Sequence, residues 1–129
     1  MCTRILYQTG EGTFITGRGM DWNDPTAPTT LVKSPRGVEQ YGGPGDNPLR
    51  WTAKYGSVWA SLYDGANADG INEAGLVANA LYLAEADFGD ATQATLPVLS
   101  VGAWCQYFLD NFADVAEAVS GLHGRDAAH

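Results

Sequence analysis

The periodicity of the apolar residues changes once along the chain, and this change limits the folds that the chain can adopt. Short β-rich segments, in several of which polar and apolar residues alternate, occupy the chain up to Leu83. After Pro97 the apolar residues recur at helical spacing, at Leu99, Ala103 and Tyr107 and, on the adjoining rows, at Trp104, Phe108 and Phe112. Strands followed by helices, without strand–helix–strand alternation, predict an α+β fold in which helices cover an antiparallel sheet.

The first two predicted strands form a hairpin that contains the start of the chain. They cover residues 3–8 and 13–18 and flank the turn Gly10-Glu11-Gly12. Such a hairpin folds residues 17–21 back beside residue 2. Further strands are predicted over 31–34, 55–63 and 76–83, the last nearly all apolar and therefore expected to be buried on both faces. Loops rich in Gly, Pro, Asn and Asp are predicted over 23–30, 36–49 and 64–75.

A second helix is predicted after the first. The run Asp114-Val115-Ala116-Glu117 resembles a capping box, and the helix is expected to continue through Val119. Gly121 and Gly124 are expected to end it.

Composition narrows the class of protein. At 129 residues with 45% hydrophobic and 17% charged residues, the chain is globular and forms one domain or part of one. A formal net charge of −8 argues against nucleic acid or an anionic membrane as a partner. Neither a membrane-spanning run nor a secretory leader is recognisable in this sequence. The expected location is the cytoplasm or the periplasm.

Cys2 is the first residue with distinctive chemistry. If Met1 is removed, Cys2 carries both a thiol nucleophile and a free α-amino group that can hold a proton near neutral pH. Cys105 lies in an apolar helical stretch and is predicted to be a buried core residue. Both are interpreted as free thiols; a redox pair has little support because neither belongs to a Cys-x-x-Cys arrangement.

Two further segments are candidates for the site. In the folded hairpin, Arg18 and Asp21 lie near Cys2, where a guanidinium favours the thiolate and a carboxylate orients the amine; an exposed ion pair in a turn is the alternative. The turn at 69–75 could aim backbone N–H groups at an oxyanion, or could simply precede a core strand. The two histidines, His123 and His129, are too few for a metal site, and we predict no metal or cofactor.

Three motifs in this order resemble the choloylglycine hydrolase family. They are Met1-Cys2-Thr3-Arg4, Gly17-Arg18-Gly19-Met20-Asp21 and Asp69-Gly70-Ile71-Asn72-Glu73-Ala74-Gly75-Leu76. This family contains penicillin V acylases and conjugated bile salt hydrolases, which are N-terminal nucleophile (Ntn) hydrolases. The resemblance covers essentially the whole chain. It implies the αββα sandwich of these enzymes, two antiparallel sheets between helix layers, with residues 1–129 as the N-terminal part of a single domain.

The resemblance also implies roles for four residues. Cys2 would be the nucleophile that forms a thioester acyl-enzyme with a linear amide, and its α-amino group would transfer the proton. Arg18 would lie against the thiol, and Asp21 would hydrogen-bond the terminal amine. The backbone N–H of Tyr82 would be one oxyanion donor.

Substrate contacts are less sharply implied. Trp22, Trp59 and Tyr63 are candidate pocket aromatics, with core packing as the alternative for each. A tyrosine at position 82 looks more like a penicillin V acylase than a bile salt hydrolase. Implied substrates are small acyl amides: phenoxyacetyl-penicillins, conjugated bile salts or N-acyl homoserine lactones.

The chain departs from the family in length, because family members are more than twice as long. They bring an asparagine to the oxyanion hole and a second arginine to the site from segments beyond residue 129. A catalytically inactive fragment or a binding module of the same fold is therefore the rival interpretation. Family members also assemble as homo-oligomers, often tetramers.

Overall fold

The structure, a computed structural model, describes residues 2–126. Met1 and residues 127–129 lie outside the described residues, and with them the predicted loss of Met1 and the histidine at position 129. The described part contains eight strands: β1 (Cys2–Gln8), β2 (Phe14–Met20), β3 (Leu31–Ser34), β4 (Glu39–Tyr41), β5 (Arg50–Thr52), β6 (Ser57–Leu62), β7 (Ala66–Asn72) and β8 (Val77–Asn79). Two α-helices follow, α1 (Trp104–Asn111) and α2 (Val115–Asp126), after short 3-10 turns at Ala91–Gln93 and Val101–Ala103.

These strands form three antiparallel sheets. The largest is four-stranded, in the order β3-β6-β7-β8, while β1-β2 and β4-β5 are two-stranded. The hairpin is confirmed over nearly its predicted length, with Cys2 paired to Met20 at its open end. The order of strands first and helices afterwards agrees with the predicted α+β class.

Helix α1 covers one face of the four-stranded sheet. Leu109 is fully buried and lies over Gly70, which pairs with Trp59 on the neighbouring strand. A Cβ atom at position 70 would come within 2.5 Å of Leu109 Cδ1 and 2.8 Å of Trp59 Cβ. Glycine at this position is therefore what allows the helix to lie close against the sheet.

Buried polar side chains also join α1 to this face. Asp110 accepts hydrogen bonds from Trp51 Nε1 at 2.7 Å and from Gln106 Nε2 at 2.6 Å. Gln106 Oε1 accepts one from Asn67 Nδ2 at 2.9 Å. Burial raises the pKa of the Asp110 carboxyl, and the two donated hydrogen bonds oppose that rise.

A bulge in β7 sends neighbouring polar residues to opposite faces of the sheet. Asp69 pairs with Ala60 and Asn67 with Ser61, so Ala68 is an extra residue between them. In a regular strand, residues 67 and 69 would share a face. Here Asn67 contacts α1, whereas Asp69 lies on the opposite face and contacts the β1-β2 hairpin.

Three loop and strand predictions were wrong. The loop predicted over 36–49 contains β4, which pairs with β5. The loop predicted over 64–75 contains β7, an inner strand. Its polar residues are stabilised there because Asn67 and Asp69 have hydrogen-bond partners on opposite faces of the sheet. The strand predicted over 76–83 ends at Asn79, and the apolar residues after it are exposed rather than buried on both faces.

The helix predictions were closer. One bond of the capping box is present, because Glu117 N–H donates to Asp114 Oδ1 at 2.9 Å. The Glu117 carboxylate accepts at 2.8 Å from the N–H of Ala113, one residue before the capping Asp114. The predicted stop was wrong, because α2 continues past Gly121 to Asp126. A Cβ atom at position 121 would lie 2.6 Å from Phe112 Cε1, so this glycine permits close packing and does not end the helix.

Candidate active site

The register of the β1-β2 hairpin brings Cys2 near Arg18. Cys2 pairs with Met20, and Arg4 pairs with Arg18. Side chains two residues apart on a strand share a face, so these four side chains lie on one face of the hairpin. Cys2 and Arg18 are diagonal neighbours there, a separation of about 7–8 Å that a long side chain can span.

Arg18 is held by two acceptors from the four-stranded sheet. Its Nη1 lies 2.9 Å from Asp69 Oδ2, and its Nη2 donates to the Ala80 carbonyl at 2.7 Å. The side chain is only 10% exposed. Its Nε is buried and has no hydrogen-bond partner among the residues that the structure describes. The guanidinium is thus fixed by contacts with the sheet.

Asp69 is itself part of a longer chain of polar side chains. Its second oxygen, Oδ1, accepts a hydrogen bond from Asn79 Nδ2 at 2.8 Å. Asn79 Oδ1 accepts one from Arg4 Nε, also at 2.8 Å. The result is a chain in the order Arg4–Asn79–Asp69–Arg18, hereafter the Arg4–Arg18 chain, that joins the hairpin to β7 and β8.

Cys2 and Arg18 line a largely apolar cavity of about 550 Å³. Its walls come from β2, from the starts of β7 and α1, and from the segment after β8. The largest apolar lining side chains are Met20, Trp22, Leu62, Leu81, Tyr82, Leu83, Phe88, Trp104 and Phe108. A cavity of this volume and lining suits a small ligand with an apolar or aromatic group.

Trp22 and Tyr82 form one wall of this cavity. Their rings meet edge to face, with centroids 5.8 Å apart. Trp22 Nε1 donates to the Tyr63 hydroxyl at 2.9 Å, and that hydroxyl donates to Asp24 Oδ2 at 2.9 Å. Hydrogen bonds from Thr26, and then from Tyr63, hold the pKa of the Asp24 carboxyl below its ordinary value. An ionised carboxylate thereby orients the hydroxyl that holds Trp22.

Comparison with known proteins identifies the family. The model of the linear amide C-N hydrolases, choloylglycine hydrolase family, matches residues 2–126. The chain belongs to the choloylglycine hydrolase family.

Similar proteins agree with this assignment. Penicillin V acylase of Pectobacterium atrosepticum is 47% identical over 129 residues, which cover 94% of this chain and 34% of that protein. The structure of penicillin V acylase from Agrobacterium tumefaciens matches with a TM-score of 0.86 and 46% identity, over 96% of this chain and 38% of that one. This match confirms the predicted fold. The chain spans about a third of the length of these relatives.

Not every predicted site residue of this choloylglycine hydrolase chain reaches the cavity. Cys2, Arg18, Trp22 and Tyr82 line it, and Tyr63 contacts it through Trp22. Asp21 is exposed and follows β2 directly, one residue beyond the partner of Cys2. These placements leave the chemical roles of the residues as predictions.

Trp59 is not among the described residues that line the cavity. It pairs with Gly70 and therefore lies on the sheet face that α1 covers. Its Nε1 is buried and has no hydrogen-bond partner in the described part of the chain. The alternative interpretation of Trp59, core packing, fits this position better than substrate contact.

The N–H groups of the β7-β8 turn are already used, so the expectation that they serve an oxyanion was wrong. Asn72 N–H donates to the Leu76 carbonyl, and Gly75 N–H donates to the Asn72 carbonyl, both at 3.0 Å. Glu73 N–H donates to Gly56, while Ala74 and Leu76 N–H donate to Asn72 Oδ1. The turn also lies at the end of β7 remote from the cavity, and its role is structural.

Sequence reasoning gave the side chains of Asp69, Asn79 and Arg4 no role in the site, although the turn that begins at Asp69 was a candidate. Arg4 and Asp69 lie within the motifs that indicate the family, but neither motif shows that its charged residue pairs with another motif. Trp104 and Phe108 were interpreted only as one side of a helix. Their helical spacing was the available signal, and it does not distinguish a core from a cavity wall.

The described residues contain no group of three or more His, Cys, Asp or Glu side chains that could hold a metal ion. Cys105 also lines the cavity, and burial raises the pKa of its thiol to about 11. Within residues 2–126, none of the helices has the length and apolar character needed to cross a membrane.

Proposed function

We propose that this chain carries the nucleophile of an N-terminal cysteine amidohydrolase that cleaves linear amide C–N bonds. The observation that carries the proposal is the placement of Cys2 with Arg18 at the wall of an apolar cavity of about 550 Å³. Asp69 and Ala80 hold the Arg18 guanidinium at this same cavity wall, at 2.9 and 2.7 Å. The cavity offers the acyl group a place next to the thiol.

The proposed reaction has two stages. With Met1 removed, the Cys2 thiol transfers its proton to the α-amino group and attacks the amide carbonyl. The C–N bond breaks as the amine leaves with that proton, and a thioester remains on Cys2. Water, deprotonated by the same amino group, then hydrolyses the thioester to a carboxylic acid and restores the thiol. Asp21, one residue beyond the partner of Cys2, would orient the amine.

We propose an arylacyl amide of the penicillin V type as the substrate. Support comes from the aromatic side chains on the cavity walls and from the names of the two similar proteins, both penicillin V acylases. An edge-to-face aromatic wall such as Trp22–Tyr82 packs well against a phenoxy ring. Conjugated bile salts and N-acyl homoserine lactones are the competing substrates to assay alongside it.

The test compares Cys2→Ala with Cys105→Ala, since both residues line the cavity. Release of 6-aminopenicillanic acid from penicillin V is expected to fall by at least about 10³-fold in Cys2→Ala and by less than about twofold in Cys105→Ala. Intact mass should show that Met1 is absent. Full turnover by Cys2→Ala, or retained Met1 in active protein, contradicts the proposal.

The same preparation also tests the rival interpretation. Rapid labelling of Cys2 by iodoacetamide without turnover of any of the three substrates would favour an inactive fragment or a binding module. Labelling together with turnover would favour the amidohydrolase.

A further inference from the structure

We propose that Asp69 is the positioning residue for Arg18, and that the Arg4–Arg18 chain requires an acceptor on both side-chain oxygens at position 69. The proposal rests on the proposed role of Cys2 and adds to it the group that sets the orientation of its neighbouring charge.

The two arginines at the ends of the Arg4–Arg18 chain can only donate, and this determines the direction of every hydrogen bond between them. Arg4 Nε can only donate, so the Asn79 oxygen must face it. The Asn79 amide nitrogen must then face residue 69, to which it donates. Arg18 Nη1 donates to residue 69 from the other side. Residue 69 therefore receives donors on both oxygens, and among side chains of this size only a carboxylate accepts both.

This arrangement fixes the guanidinium from the side of the sheet. Arg18 is 10% exposed and Asp69 24%, so the pair is shielded from solvent more than a surface ion pair is. The Ala80 carbonyl holds the second terminal nitrogen at 2.7 Å. The remaining nitrogen, Nε, has no partner within residues 2–126. Asp69 and Ala80 thus determine where the Arg18 charge lies at the cavity that Cys2 also lines.

Two single substitutions should each disrupt the Arg4–Arg18 chain, one by placing two donors face to face and the other by placing two acceptors face to face. Asp69→Asn turns one acceptor into a donor that faces the Asn79 amide nitrogen, and Asn79 cannot turn over without presenting a donor to Arg4. Asn79→Asp places two carboxylates face to face. Each single variant leaves at least one mismatched pair of groups in a shielded position.

The double variant Asp69→Asn with Asn79→Asp should restore the hydrogen bonds of the Arg4–Arg18 chain. Arg4 then donates to Asp at 79, the new Asn at 69 donates to that carboxylate, and Arg18 donates to the Asn oxygen. Every donor has an acceptor and the net charge equals that of the original protein. The swap is therefore a control matched in charge, size and hydrogen-bond count.

The experiment measures iodoacetamide alkylation of Cys2 against pH in the full chain with Met1 removed, resolved from Cys105 by peptide mass mapping. Each single variant is expected to raise the pH midpoint by about 0.5–1 unit and to slow alkylation at pH 7 about three- to tenfold, because the guanidinium loses its fixed position. The double variant should return to within about 0.2 unit of the original midpoint. Asn79→Ala removes only the hydrogen bond to Asp69 Oδ1, so it should raise the pH midpoint by less than the other single variants do.

Several results would overturn the proposal. One is an unchanged or lowered pH midpoint of Cys2 alkylation in Asp69→Asn. Another is a lowered melting temperature with no change of this midpoint in any variant. The third is a double variant whose midpoint is as high as those of the single variants. If Asp69→Asn does not fold, Asn79→Ala and the swap decide the outcome in the same way. Failure of the original protein to hydrolyse penicillin V would contradict the proposed function but leave this alkylation comparison standing.

Discussion

The two faces of the four-stranded sheet differ in burial and in the contacts that their side chains make. The face under α1, the closed face, contains fully buried Leu109 and the hydrogen-bonded set around Asp110 and Gln106. The opposite face, the open face, carries partly exposed apolar side chains such as Val58 and Ile71 and contacts the hairpin through the Arg4–Arg18 chain. Strand β7 contributes to both faces, with Gly70 and Asn72 on one and Asp69 on the other.

This difference suggests that the closed face mainly stabilises the fold, whereas the open face mainly positions the residues of the site. On the closed face, Asn72 holds the end of α1 by donating to the carbonyls of Leu109 and Phe112, at 2.9 and 2.7 Å. On the open face, polar contacts fix the Arg18 guanidinium at the cavity that the half-buried Cys2 also lines. Substitutions on the closed face should therefore change the free energy of unfolding, whereas those on the open face should change the reactivity of Cys2.

The largest expected effect is on the closed face. Leu109→Ala should lower the free energy of unfolding by about 3 kcal/mol, because Leu109 is 0% exposed and its loss leaves a cavity. Ile71→Ala, on the open face at 49% exposure, should cost less than about 1 kcal/mol. Urea unfolding of both variants checks this. Equal losses would mean that the two faces contribute alike and would break the comparison.

The next effect concerns Cys105, also packed against the sheet by α1. Its thiol pKa rises from an ordinary 9.0 to about 11 because of burial, so above pH 9.0 the unfolded chain releases a proton that the folded one keeps. The free energy of unfolding should then decrease between pH 9 and 11, by about 2–3 kcal/mol in total. Urea unfolding across this range should show a shallower decrease in Cys105→Ala. Parallel pH curves for the two proteins would contradict the assignment.

The smallest effect is on the cavity wall beside the open face. Tyr63→Phe removes both the acceptor for Trp22 and the donor to Asp24, so Trp22 loses its fixed orientation. In protein that hydrolyses penicillin V, KM should rise about three- to fivefold, which corresponds to about 1 kcal/mol, with little change in kcat or in the melting temperature. Tyr41→Phe, an exposed hydroxyl on β4, is the matched control. An unchanged KM would show that the orientation of Trp22 does not affect substrate binding.

Local sequence was sufficient for the hairpin and the start of α2. Alternation in the first two strands and the Gly-containing turn between them predict the pairing of Cys2 with residues near Met20, because all the information lies within a short segment. The capping residues Asp114 and Glu117 act on neighbouring backbone groups in the same way. These predictions needed no distant contacts.

Strand β7 was missed for the opposite reason. Asn67, Asp69 and Gly70 are residues typical of turns, and their stabilising partners lie far along the chain. Asp69 contacts Arg18 across 51 positions, and Asn67 contacts Gln106 across 39. Composition within a window of ten residues cannot show such partners, so the segment looked like a loop.

The sequence by itself determined the order of strands and helices, the family and the position of the thiol, because each depends on local periodicity or on short motifs. Only the tertiary structure decided which groups hold the Arg18 guanidinium at the cavity that this thiol lines. The bulge at Ala68 turns Asp69 toward the hairpin while Asn67 faces α1. That reversal depends on how β6 and β7 pair. It is therefore a property of the assembled sheet rather than of either strand.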